Sequence, residues 1–96
     1  MKLIAFWEIR PEDREKVQAR GQEWVKDRKQ HPEKYGRYMR LQDGTAAGFR
    51  MIGEYRGFSL VEVDTEEQLQ NSVEFWAPLM TFKFAPIQQV QIAFQL

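Results

Sequence analysis

The sequence predicts an α+β fold, and three observations carry that prediction. An apolar strand pattern runs into a capped, acidic helix start twice. The first instance is Lys2-Leu-Ile-Ala-Phe-Trp-Glu-Ile9 leading to Arg10-Pro-Glu-Asp13; the second is Phe58-Ser-Leu-Val-Glu-Val63 leading to Asp64-Thr-Glu-Glu67. The third observation is a clean apolar/polar alternation from Gln88 to Leu96. Two strand–helix halves, each completed by a further strand, give βαββαβ, the ferredoxin-like arrangement. The expected sheet has four antiparallel strands in the order 4-1-3-2, with both helices on one face. The 96 residues read as a single domain spanning 1–96.

Residues 2–9 form the first strand because apolar residues occupy both alternating sets: Leu3, Ala5, Trp7 and Ile9 on one face, Ile4 and Phe6 with Glu8 on the other. Helices on one side leave the second apolar face in need of a cover, and a second copy of the chain is the simplest one. Pro11 suits a first helical turn, and Glu12, Asp13 and Glu15 complement its dipole. This helix is predicted to about Lys29, with Val17, Gly21, Trp24 and Val25 as its inner stripe and Pro32 as its stop. Gly21 weakens a helix interior by roughly 1 kcal/mol relative to Ala, which suggests close packing on the sheet.

Residues 33–48 carry two turn signals, Tyr35-Gly36 and Asp43-Gly44, around a short strand or ordered loop at Arg37–Gln42. Phe49–Tyr55 reads as a strand, Arg56-Gly57 as a turn and 58–63 as the third strand. Thr65 followed by Gln68 is a capping-box pattern. The second helix it opens has Leu69, Val73, Trp76 and Met80 as its stripe, with Pro78 breaking or kinking it. Gln88–Leu96 is the fourth strand, with Val90, Ile92, Phe94 and Leu96 on one face.

Fourteen basic and fourteen acidic side chains cancel, so nucleic-acid binding has little electrostatic support. There is no cysteine, which excludes disulfides, thiolate catalysis and cysteine-ligated metals. No apolar run approaches the roughly 20 residues of a membrane span, and the first residues do not form a signal-peptide pattern. No membrane association and a cytoplasmic location are the expectations. Seven Phe, three Tyr and three Trp are more aromatic material than a small two-layer domain needs for its core.

Three segments, Phe6-Trp-Glu-Ile-Arg-Pro-Glu-Asp13, Gly57-Phe-Ser-Leu-Val-Glu-Val-Asp64 and Phe75-Trp-Ala-Pro-Leu-Met-Thr-Phe-Lys-Phe-Ala-Pro-Ile87, give the chain a resemblance to a family of short prokaryotic proteins of unknown function. That family is similar to the dimeric α/β-barrel superfamily. The resemblance covers nearly the whole chain except residues 34–50, which are longer and more divergent. It implies two ferredoxin-like sheets paired face to face as a barrel, with ligands between sheet and helices or inside the barrel. Superfamily members include cofactor-independent monooxygenases, lactone isomerases, haem-degrading proteins and amino-acid-sensing domains, and fold likeness does not choose among them. The haem-degrading members use an Asn, a Trp and a helical His ligand. Here Asn71 and Trp76 fall on the second helix but the only histidine, His31, follows the first. No haem or other cofactor is expected.

The candidate chemistry is sparse. Glu8, on the strand face with Ile4 and Phe6, would be a raised-pKa base if that face lined a barrel; the commoner meaning of such a residue is a strand-end carboxylate paired with arginine. In the expected strand order Glu62 lies toward the other end of the sheet from Glu8. Glu54 is the closer partner for Glu8, and Glu62 falls opposite Arg50 or Met51 depending on the turn. His31 is either an acid–base group or a helix-end charge complementing the dipole. No second histidine and no carboxylate spacing suggests a metal site. The aromatic residues are the best ligand-site material. Trp7, Tyr55, Phe58, Trp76 and Met80 are the candidate ligand-binding residues, set against the commoner reading of such a stripe as core and interface. Lys83 and Arg40 could orient an anion or serve as solvated charges.

Three functions follow as expectations. The first is a small cofactor-independent enzyme, monooxygenase- or isomerase-like, acting on an aromatic or polyketide-like molecule, with Glu8, Glu54 and His31 as acid–base candidates. The second is a non-catalytic module that binds or senses a small apolar or aromatic ligand. The third is a structural homodimer without a pocket.

Overall fold

Alternation in the first strand sets the architecture. In the computed structural model, which describes residues 1–90, β1 (Lys2–Ile9) buries Leu3 and Ala5 on one face while Phe6 on the other keeps 43% of its surface exposed. A 3-10 turn over Pro11–Asp13 follows. Arg10 holds the buried Asp13 carboxylate at 2.7 Å there, and α1 (Arg14–Gln30) begins. Its end is closed by the His31 backbone N–H, which donates to the Asp27 carbonyl at 2.8 Å. The inner stripe runs through Val17, Gly21, Trp24 and Arg28. Val25, expected in that stripe, is instead 50% exposed, because the turn of the helix carries it off the sheet side.

The second transition repeats the first. β4 (Arg56–Glu62) leads to α2 (Glu66–Trp76). Thr65 is the N-cap, its hydroxyl accepting from the Gln68 backbone N–H. The buried Gln68 side chain reaches back one residue further than a capping box requires, accepting from the Asp64 N–H at 2.7 Å and donating to the Glu33 carbonyl at 2.9 Å. That single amide fastens α2 to the segment after α1.

The chain folds into a five-stranded antiparallel sheet with two helices, in the order β2-β4-β1-β5, with β3 also on β4. The strands are β2 (Arg37–Tyr38), β3 (Gly48–Arg50) and β5 (Met80–Pro86), with β1 and β4 between them. Five replaces the expected four for a local reason. β2 and β3 occupy consecutive register positions along β4: Tyr38 faces Val61 and Gly48 faces Ser59. Between them Leu60 bonds both arms, accepting from the Met39 N–H and donating to the Ala47 carbonyl, each at 2.9 Å. Residues 40–46 loop out as a hairpin, tightened by Asp43, whose carboxylate accepts from the Thr45 N–H and hydroxyl at 3.0 and 2.7 Å. The edge strand is therefore one strand position interrupted by a hairpin.

Other expectations need correction. The strand read over Phe49–Tyr55 stops at Arg50, since Met51 to Tyr55 make the turn into β4, which begins at Arg56 rather than 58. Arg50 consequently faces Gly57, not Glu62. Glu62 faces Arg37 and accepts from its Nε at 3.1 Å. The second helix ends at Trp76, and Met80, read as the last residue of its stripe, opens β5. β5 takes the position expected for the fourth strand, next to β1. Residues 87–90 carry no strand, and the rest of the Gln88–Leu96 expectation lies outside the described residues.

Two glycines are dictated by close approach. A Cβ at Gly57 would stand 1.9 Å from the Phe49 carbonyl oxygen and 2.5 Å from the Trp7 ring. Gly36 has φ +81° and lies against the Glu62 carbonyl and Val63, where only glycine is relaxed. Gly21 differs from expectation. Its nearest neighbour is the Trp76 ring, 3.8 Å from where a Cβ would be, and it packs on no strand.

Candidate functional site

Between the helices and the sheet the chain leaves a cavity of about 440 Å³, within the usual range for small-molecule sites. Its floor is the inward face of the sheet: Ala5 and Trp7 on β1, Ser59 and Val61 on β4, and Phe82 and Phe84 on β5. The two phenylalanines stack nearly parallel with centroids 5.7 Å apart. The roof is aromatic. Trp24 of α1 sits 4.5 Å from Tyr35, 5.0 Å from Phe75 and 5.6 Å from Trp76, in tilted contacts of the kind that stabilise aromatic clusters. Space remains because small residues (Ala5, Gly21, Ala46, Gly48 and Ser59) alternate with these rings around the wall.

Several polar groups stand at the split-edge side. The Trp24 indole N–H donates to the Tyr38 hydroxyl at 3.1 Å. Arg28, one helical turn beyond Trp24 and on the same face, lies over the Trp24 and Tyr38 rings at 5.1 and 4.6 Å. Its Nη2 donates to the Gly36 carbonyl at 3.0 Å. Burial is the main cause that holds the Arg28 pKa below the usual arginine value, and the nearby Arg40 charge adds to it. Arg28 lines the cavity with Arg50, and among the described residues no aspartate, glutamate or histidine lines it. Arg37 borders it from β2, but it is in register with Glu62 on the open face and its guanidinium is paired there. Behind the aromatic roof, Tyr35 donates its hydroxyl to Asp27, and Lys34 stands 3.4 Å from the same carboxylate. The Tyr35 bond holds Asp27 below the usual aspartate range, and burial chiefly pushes Tyr35 upward.

The structure brings three of the sequence-derived ligand residues, Trp7, Trp76 and Met80, to this cavity. Phe58 is on the opposite face of the sheet, 6.5 Å from Phe6 and stacked on Phe49 at 5.0 Å. Tyr55 lies in the turn before β4, covered by Arg50 at 5.2 Å. Glu8 is exposed on the open face, in register with Arg56 and Thr81. Glu54 is also exposed and is bound by Arg56 at 3.1 Å, so the two glutamates come to the same end of the sheet with Arg56 between them. His31 is exposed at the end of α1, 3.9 Å from Glu33, and borders a separate polar groove with Gln68 and Asn71. Lys83 faces Phe6 across the open face, and Arg40 reaches the Gly44 carbonyl within the hairpin.

Sequence reasoning missed Arg28 and Ser59 as cavity groups. The signal for Arg28 was its spacing, since 21, 24 and 28 continue one helical stripe. Ser59 was legible only from the strand alternation that sets it beside Val61 and Val63.

The profile of a family described as "Domain of unknown function (DUF3303)" matches the chain over residues 1–96. The chain belongs to that family. Among curated proteins no significant match was found. No helix of this DUF3303 chain, among the described residues, is long and apolar enough to cross a membrane. Nor, among those residues, does any group of three or more His, Asp or Glu side chains stand where it could hold a metal ion.

Proposed function

We propose that this DUF3303 protein is a binding module for a small, planar, predominantly apolar molecule held between its helices and its sheet. The observation that carries the reading is the wall composition: rings and aliphatic side chains surround a cavity of about 440 Å³, with few polar groups among them. Specific small-molecule sites are built this way. The acid–base candidates read from the sequence, Glu8, Glu54 and His31, are each exposed to solvent outside this cavity. Binding without turnover therefore has the better support.

The working unit is a homodimer of ferredoxin-like subunits joined through their open sheet faces. Two features support this. The sheet has four strand positions once the interrupted edge strand is counted as one. Its open face also carries Ile4, Phe6, Phe58 and Leu60 in neighbouring register positions, flanked by Phe49, which is 39% exposed. Glu8, Arg56, Lys2 and Glu62 lie at the ends of the same strands. An apolar centre with a charged rim is the composition of an interface core.

The experiment plugs the cavity from the helix. Gly21 lines it, and a Cβ there meets only the Trp76 ring at ordinary contact distance, so Gly21→Leu should fold and fill the space. Naphthalene-sized aromatic compounds should raise the melting temperature of the natural protein and quench its tryptophan fluorescence. Gly21→Leu, with an unchanged circular dichroism spectrum, should lose both effects. Indifference of the natural protein to the whole panel would discard the binding reading.

A further inference from the structure

We infer that the ligand of this cavity is an anion, namely a planar apolar body carrying a carboxylate that docks on Arg28. The inference rests on the binding reading above and adds the charge class of the ligand. Two observations point the same way. The first is the charge of the wall. In a chain whose acidic and basic residues balance, Arg28 and the exposed Arg50 line the cavity, and among the described residues no acid does. The charge that this wall presents is therefore positive, and the apolar lining around Arg28 strengthens its field.

The second is the state of Arg28 itself. Arg37 is answered by Glu62 and Asp64. Arg50 is exposed, bonded to the Glu54 carbonyl and laid over Tyr55. Arg28 is half-buried, and among the described residues no carboxylate lies within ion-pair distance of it. Among the described residues only one of its five donors is used, on the Gly36 carbonyl. A half-buried cation with spare donors and no counter-charge is costly to hold. The Trp24 and Tyr38 rings offset part of that cost. They also fix the guanidinium plane, so its remaining N–H groups form a fork suited to a carboxylate. No side-chain nitrogen of Arg28 is both fully buried and unbonded, so the spare donors are reachable. The ligand's rings would then lie along the Trp24–Trp76 roof and the Phe82–Phe84 floor, and its charged end would meet the Tyr38 side.

The test compares isosteres by calorimetric titration of the purified protein with 2-naphthoate and with the neutral 2-naphthamide. The amide carbonyl can accept from Arg28 but carries no charge and cannot engage the fork at two oxygens, so naphthoate should bind roughly tenfold more tightly. Arg28→Gln should bring the two to within about threefold of each other, and Arg28→Lys should restore part of the difference. Equal affinity of the two probes for the natural protein would overturn the anion inference and leave the binding reading intact. Failure of both probes to bind would remove both. The comparison on the natural protein decides the matter even if Arg28→Gln does not fold.

Discussion

Trp24 donates its indole N–H to the Tyr38 hydroxyl at 3.1 Å, which ties α1 to the edge of the sheet beside the cavity that both residues line. Tyr38→Phe leaves that N–H without its acceptor while keeping the ring under Arg28. The expected loss is about 1 kcal/mol of unfolding free energy, read from urea denaturation. Tryptophan emission should shift as the Trp24 indole loses its partner. An unchanged midpoint and spectrum would mean that solvent replaces the hydroxyl without cost.

Gly57 admits no side chain. Gly57→Ala should cost at least about 2 kcal/mol, because the methyl group meets a backbone carbonyl that cannot yield without separating β3 from β4. Gly48→Ala is the matched control. It sits one strand away with open space around its Cβ direction and should change the denaturation midpoint little.

Gly21→Ala should have the opposite sign. The new methyl finds ordinary contact with Trp76, and the helix gains up to about 1 kcal/mol in propensity. A higher melting temperature is the expected reading, and a fall would imply that the helix needs the flexibility of glycine there.

The Asp27–Tyr35–Lys34 group predicts an acid-sensitive stability. Asp27 titrates below its usual value in the folded chain, chiefly through the Tyr35 hydroxyl. Its contribution is therefore present above the unfolded aspartate pKa of about 4 and is lost as pH falls through the lower folded value. Asp27→Asn should lower stability at neutral pH and flatten the acid limb of a melting-temperature profile taken from pH 7 down to about 2. Parallel profiles for the two proteins would show that Asp27 does not carry that limb.

Phe6→Glu places a charge at the centre of the open face. Light scattering should give the natural protein twice the 11.5 kDa chain mass and the variant a single mass. A natural protein that runs as a monomer at micromolar concentration would dismiss the paired-sheet reading.

Much of this fold was legible because its signals are local. Pro11 with its acidic neighbours and the Thr65–Gln68 cap mark both helix starts, and the alternation of Leu3, Ala5 and Trp7 marks the inward face of β1. Met80 was misread because Trp76 and Met80 share a helical spacing, which hid the alternation of Met80, Phe82 and Phe84 that makes β5. The interrupted edge strand was illegible because its continuity depends on Leu60, a residue distant in sequence that bonds Met39 and Ala47 together. The aromatic part of the site followed from composition. Arg28 did not, since a lysine- and arginine-rich helix end normally reads as solvated surface, and only the fold reveals which of those charges turns inward.

The hairpin at 40–46 leaves and rejoins the sheet at a single residue of β4, so the sheet does not register its length. Residues added at the Asp43–Thr45 tip would extend a structure that closes on itself, at a loop-entropy cost that grows only slowly with length. Ala46 borders the cavity from the return of this excursion, close to Tyr38 of β2. Grafted or randomised tips could therefore redraw the rim of the site while its floor and roof stay as they are, which makes this short detour the natural handle for refitting the protein to a ligand of choice.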